Sequence, residues 1–86
     1  MKIFFTETAL SDYQQWEKQD AAKFKKIQSL LKNIRSTPFS GIGKPEPLQF
    51  NLQGFWSRRI SKEHRLIYKI KDNTITVISC KFHYEK

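Results

Sequence analysis

The sequence predicts an α+β fold in which an N-terminal strand and a helical hairpin pack on an antiparallel sheet meander. Three observations carry that prediction. Apolar residues recur at helical spacing between Ala9 and Ile34, the period changes to two after Pro47, and a Pro- and Gly-rich segment separates the two regimes. Lys2-Ile3-Phe4-Phe5-Thr6 reads as the first strand. Thr6 or Thr8 can cap the helix that follows, with Glu7 favourably placed in its first turn. Ala9, Tyr13 and Trp16 then share one face. Asp20 is placed to cap a second helix, on which Phe24, Ile27, Leu31 and Ile34 form the apolar stripe while Lys23, Lys25, Lys26 and Lys32 occupy other faces. Thr37-Pro38 ends it, because proline disfavours helical geometry in the residue before it. Two helices with so short a connection form an antiparallel hairpin.

Residues 38–47, Pro-Phe-Ser-Gly-Ile-Gly-Lys-Pro-Glu-Pro, read as a loop stiffened on both sides of Glu46 by Pro45 and Pro47. Leu48, Phe50 and Leu52 then alternate as in a strand, and Asn51-Leu52-Gln53-Gly54 turns the chain into a second run, Phe55 to Ile60. Ser61 to His64 leads into Arg65–Ile70, and Lys71-Asp72-Asn73 is a hairpin turn into Thr74–Cys80. With 86 residues, no internal repeat and no linker, the chain is expected to form one domain spanning 1–86.

Composition narrows the function. A single cysteine, Cys80, excludes an intramolecular disulfide and argues against a Cys-based zinc site; at the end of an apolar run it reads as a small buried hydrophobe. No apolar stretch approaches the roughly 20 residues that a membrane span needs, and no signal-peptide pattern opens the chain, so a cytoplasmic location is expected. The net charge of +8 is unevenly spread. Residues 1–20 hold Lys2 and Lys18 against Glu7, Asp12, Glu17 and Asp20, a net of −2, whereas residues 21–86 hold 14 basic and 4 acidic side chains, a net of +10. Such asymmetry points to a polyanionic partner, nucleic acid before an anionic membrane.

Cutting RNA without a metal requires a base for the 2′-hydroxyl, an acid for the leaving 5′-oxygen and a cation for the charge developing on phosphate. The sequence lacks the carboxylate clusters of a two-metal site, and neither metal nor cofactor is expected. Glu46 is the best base candidate: it is the sole acidic residue between Asp20 and Glu63, and its flanking prolines limit backbone freedom. A solvated carboxylate balancing Lys44 is the alternative. Arg65 precedes the apolar Leu66, Tyr68, Ile70 series, so alternation turns it to the opposite face. Arg58 and Arg59 are adjacent and point to opposite faces; one of them should join Arg65, since guanidinium groups match phosphate oxygens. His83 and Tyr84 lie just past the last strand, where an imidazole titrating near neutrality and a phenol can serve a scissile phosphate. His64, in the Ser61–His64 turn, is the weaker histidine candidate. Phe55, Trp56 and Tyr68 read as core rather than as a base-stacking platform.

Several blocks resemble the YoeB toxins of the RelE-like superfamily. They are Thr37-Pro38-Phe39, Gly43-Lys44-Pro45-Glu46-Pro47-Leu48, Asn51 through Ile60, Glu63-His64-Arg65-Leu66-Ile67-Tyr68 and His83-Tyr84. The resemblance spans essentially the whole chain. It implies a toxin of a type II toxin–antitoxin pair, an endoribonuclease that enters the ribosomal A site and cleaves mRNA during translation. It also implies a toxin homodimer neutralised by a YefM-like antitoxin. By position, Glu46 matches the family's general base, His83 its general acid, Arg65 the arginine that stabilises the transition state, and Tyr84 the terminal tyrosine that aligns the substrate. Arg59 matches a supporting basic residue, and Lys44 is assigned with it to RNA contact. The chain departs from the family where a Lys-His pair often follows Pro-Leu, having Gln49-Phe50, and where members commonly end at His-Tyr, having Glu85-Lys86 beyond.

Two other function classes are compatible with a basic domain of this kind. One occupies ribosomal RNA without cutting and needs neither Glu46 nor His83; the other is a superfamily member that inhibits DNA gyrase. The co-occurrence of Glu46, Arg65, His83 and Tyr84 favours the nuclease.

Overall fold

A computed structural model describes residues 1–82 of the chain. The elements run β1 (Lys2–Phe5), α1 (Glu7–Gln19), α2 (Ala21–Ser36), β2 (Glu46–Pro47), a 3₁₀ turn (Phe50–Leu52), β3 (Trp56–Arg59), β4 (Arg65–Lys71) and β5 (Thr74–Ser79). Thr6 caps α1, its hydroxyl accepting the Ala9 N–H at 3.3 Å. One residue, Asp20, ends α1 and starts α2: its N–H donates to the Trp16 carbonyl, its carboxylate accepts the Lys23 N–H at 3.2 Å, and the Lys23 ammonium lies 2.8 Å away. The paired contacts Trp16–Lys23 and Tyr13–Phe24 show that the two helices run antiparallel, as the sequence implied.

The sheet order is β1-β5-β4-β3-β2. Strands β2 to β5 form the expected antiparallel meander, but β1 joins it parallel to β5, with Ile3 opposite Ile75, so the sheet is mixed. Intervening helices make this parallel closure possible, since a parallel pair cannot be joined by a tight turn. Asp72 (φ 52°) and Asn73 (φ 57°) both take left-handed geometry, which a two-residue turn matched to strand twist requires. The helices cover one sheet face. Ala9, Trp16, Ile27, Leu30, Leu31 and Ile34 bury against Leu66, Tyr68, Ile75 and Val77, each large apolar side chain contributing about 1.5–3 kcal/mol.

Two local expectations change. Leu48 to Leu52 is not a strand: Phe50 (φ 58°) starts a 3₁₀ turn and is 70% exposed. With β2 ending at Pro47, only the Leu48 N–H to Phe55 carbonyl bond extends the pairing, so the alternation there has no partner strand to read it out. Conversely Glu46-Pro47, expected as loop, pairs with β3 as a two-residue edge strand, a position where the missing proline N–H costs no ladder bond. Cys80 is buried, as expected, with its thiol 3.5 Å from the Ala9 carbonyl. Among the described residues no helix is long and apolar enough to cross a membrane.

Candidate functional site on the uncovered sheet face

Strand register decides which charged residues meet. Ser57 lies opposite Glu46 on one side and Ile67 on the other, and Arg59 lies opposite Arg65. Residues two apart share a face. Glu46, Arg59 and Arg65 therefore stand together on the face that the helices leave uncovered, whereas Arg58, Leu66 and Tyr68 face the core. By strand spacing and rise, Glu46 and Arg65 are on the order of 12 Å apart between Cα atoms, a gap that long side chains can bridge onto a shared ligand.

Arg59 is exposed and Arg65 half-buried. Placing two guanidinium groups directly opposite each other on one face is destabilising unless an anion compensates. Burial, and then the Arg59 charge, push the Arg65 guanidinium down from its ordinary value, while Glu46 acts in the other direction. Arg65 is also held in place: its Nη1 donates to the carbonyls of Ser61 (2.7 Å), His64 (3.1 Å) and Lys62 (3.2 Å), closing the β3–β4 loop around it. The result is a fixed cation beside a carboxylate on an exposed surface, suited to an anionic oxygen.

The loop that delivers Glu46 is built on Arg58, which is fully buried. Its five N–H donors are all used. Nε donates to the Tyr68 hydroxyl (3.2 Å), Nη1 to the Asn33 side-chain oxygen and the Ile42 carbonyl (3.1 Å), and Nη2 to the carbonyls of Thr37 (2.7 Å) and Ser40 (2.9 Å). Tyr68 in turn donates to the Pro38 carbonyl at 2.7 Å, and burial raises its phenol above the ordinary range. Gly43 (φ 80°) then passes so close to the core that a Cβ would lie 2.7 Å from Leu30 and 3.3 Å from Arg58. Its carbonyl accepts the Arg59 N–H at 2.7 Å, so exposed Lys44 leaves the loop beside Arg59 and leads through Pro45 to Glu46.

On the other side, the C-terminal segment arrives next to Arg65. The Arg65 N–H donates to the Phe82 carbonyl at 3.1 Å, and the Phe82 N–H donates to His64 Nδ1 at 2.8 Å. His83 and Tyr84, the other two catalytic candidates, lie outside the described residues, as do Glu85 and Lys86. Of the sequence candidates, then, Glu46, Arg59 and Arg65 share one face and Lys44 lies at its margin. The question left between Arg58 and Arg59 falls to Arg59. Sequence reasoning did not anticipate the Arg58 network, whose acceptors are mostly backbone carbonyls with no side-chain signature. Nor did it anticipate His64 as the acceptor for the Phe82 amide. Trp56 is half-buried against Phe39 (ring centroids 5.0 Å) and Tyr68 is buried, so neither is an open stacking platform.

Fold and surface together define a class: a small basic α+β protein with a helical hairpin on one sheet face and an arginine–glutamate cluster on the other. The family is more specific. The model of the YoeB-like toxin of bacterial type II toxin–antitoxin systems matches residues 5–84, and the chain belongs to that family of toxins. It is 52% identical to toxin YoeB of Synechocystis sp. over 86 residues, covering all of both chains. It is 49% identical to toxin YoeB of Escherichia coli strain K12 over 84 residues, 98% of this chain and all of that one. Among solved structures, a YoeB/ParE toxin from Agrobacterium tumefaciens superposes with a TM-score of 0.95 at 44% identity, covering 98% of this chain and 100% of that one. A YoeB dimer from Staphylococcus aureus gives 0.92 at 47% identity, and a heterotetrameric YoeB–YefM complex from the same organism 0.91 at 47%, each covering 98% of both chains.

Proposed function

We propose that this toxin is a ribosome-dependent endoribonuclease that cleaves mRNA in the A site without a metal and thereby stops translation. The observation that carries the reading is the sharing of one uncovered sheet face by Glu46, Arg59 and Arg65, with the chain entering its last four residues beside Arg65. In the proposed reaction Glu46 takes the proton of a 2′-hydroxyl, whose oxygen attacks the adjacent phosphorus in line. Arg65 stabilises the charge on the pentacovalent phosphate, His83 protonates the departing 5′-oxygen, and Tyr84 aligns the substrate. The products are a 2′,3′-cyclic phosphate and a 5′-hydroxyl. Lys44 and Arg59 contact the RNA backbone. The common core of the described residues supports reading 1–86 as one toxin domain.

By the same reading the protein acts in the cytoplasm, forms a homodimer and is neutralised by a YefM-like antitoxin; the Staphylococcus aureus dimer and YoeB–YefM structures support these partners. The decisive experiment adds purified protein to programmed ribosomes and reads the position and chemistry of new mRNA ends. Cleavage in the A-site codon with cyclic phosphate ends is expected, slowed by about 10²–10⁴-fold in E46A, R65A or H83A. Stalled ribosomes without new ends would favour a toxin that blocks rather than cuts, and unchanged rates in E46A and H83A would overturn the mechanism.

A further inference from the structure

Phe82 is gripped from both sides by consecutive residues, the last of the β3–β4 connection and the first of β4. Its N–H donates to His64 Nδ1 at 2.8 Å, and its carbonyl accepts the Arg65 N–H at 3.1 Å. In this bond the ring nitrogen Nδ1 is the acceptor and the Phe82 amide the donor. Phe82 has φ 61°, a left-handed conformation that side chains of its size seldom adopt and that persists only where surroundings impose it. Those surroundings are not a buried core, since Phe82 is 60% exposed. The two hydrogen bonds hold the backbone there.

His64 is itself fixed. Its ring meets the edge of Trp16 at 4.8 Å between centroids, and Phe82 lies 5.3 Å away on tilted planes. Trp16 Nε1 donates to the Cys80 carbonyl at 2.8 Å, so α1, His64 and the segment after β5 form one linked unit. The Phe82 carbonyl belongs to the planar peptide group that leads into residue 83, and Arg65 supplies both the N–H that holds this group and a proposed phosphate-binding side chain.

We propose that His64 is a positioning residue: by accepting the Phe82 amide it fixes the point from which His83 and Tyr84 leave, relative to Arg65. This rests on the nuclease reading above for its effect on rate, though not for its effect on the backbone. The role requires an acceptor at the Nδ1 position rather than a ring of that volume. Asparagine places its side-chain oxygen near that position; leucine fills the volume without an acceptor, and glutamine places its amide further out.

The test compares wild type with H64L, H64N and H64Q in two measurements. In single-turnover cleavage on programmed ribosomes, H64L and H64Q should lower the rate constant by about 10- to 100-fold while leaving ribosome affinity nearly unchanged, and H64N should recover most of the rate. In the free protein, amide exchange at Phe82 should accelerate in H64L and stay slow in H64N, with the exchange of core amides on β4 and β5 unaltered. Wild-type cleavage by H64L, or equal loss in H64L and H64N, overturns the proposal. If wild type makes no cut, the nuclease reading fails, and the Phe82 exchange data alone decide the role of His64: protection unaltered in H64L rejects the clamp.

Discussion

Arg58 and Arg59 are neighbours on one strand and occupy opposite environments. Arg58 faces the helices, fully buried, with every donor directed at a carbonyl, a hydroxyl or the Asn33 side chain. Arg59 faces the uncovered side, exposed, opposite a second arginine and near a carboxylate. The same guanidinium serves two ends. Inside, its planar fork ties an irregular loop to the core by supplying donors that the loop's own few bonds do not; outside, it adds to a surplus of positive charge that awaits an anion.

The sharpest way to break the comparison is R58M. Removing Arg58 takes its donor from the Ile42 carbonyl and one donor each from the Tyr68 hydroxyl and the Thr37 and Ser40 carbonyls, which keep only a contact with each other's residue, so urea denaturation should show a loss of about 3–5 kcal/mol. R59M should change stability by less than about 0.5 kcal/mol. Its effect should appear in RNA binding, as a salt dependence shallower by about one unit in slope. Equal destabilisation by the two substitutions would show that the faces are not distinct.

This contrast also marks how far the sequence could be read. Helix caps at Thr6 and Asp20, the Asp72-Asn73 turn and the opposite orientations of Arg58 and Arg59 follow from local chemistry and a two-residue period, and all appear in the structure. Which arginine turns inward depends on register, which is set by the whole sheet. The edge strand at Glu46-Pro47 and the 3₁₀ turn at Phe50 were hidden for a related reason, since proline and alternating leucines carry local signals that pairing overrides. Glu46 and Arg65 were legible as isolated chemical candidates. Their assembly on one face was legible only through strand register, and the role assigned to His83 and Tyr84 rests on family resemblance rather than on local pattern.

A smaller effect is expected where the two faces connect. Gly43 adopts φ 80° where an added Cβ would meet Leu30, Arg58 and the Arg59 carbonyl, and its own carbonyl accepts the Arg59 N–H. G43A should cost about 1–3 kcal/mol through the disfavoured conformation, Leu30 yielding at the flexible end of its side chain. Because the strain falls three residues before Glu46, the cleavage rate should fall by more than the stability loss explains when measured well below the melting temperature. A variant that loses stability alone would show that Gly43 does not set the placement of Glu46.

The smallest effect at neutral pH belongs to Cys80, on the covered side. Burial, and then the Asp12 charge, push its thiol up to about 12, with Lys81 opposing. In the unfolded chain the thiol ionises near an ordinary value of about 8.5. The raised folded value means that burying the neutral thiol contributes its full stability below about 8.5. Above that pH the unfolded state gains thiolate and the contribution declines by about 1.4 kcal/mol per pH unit, until the folded thiol also ionises near 12. Between pH 8.5 and 10, wild type should therefore lose stability more steeply than C80A, although C80A starts lower because of the cavity it creates. Native Cys80 should also resist a thiol reagent at pH 8 that labels the urea-unfolded chain rapidly. Rapid labelling of the native protein, or parallel stability curves for wild type and C80A, would mean that solvent reaches this end of the core and that the covered face is less closed than Arg58 requires.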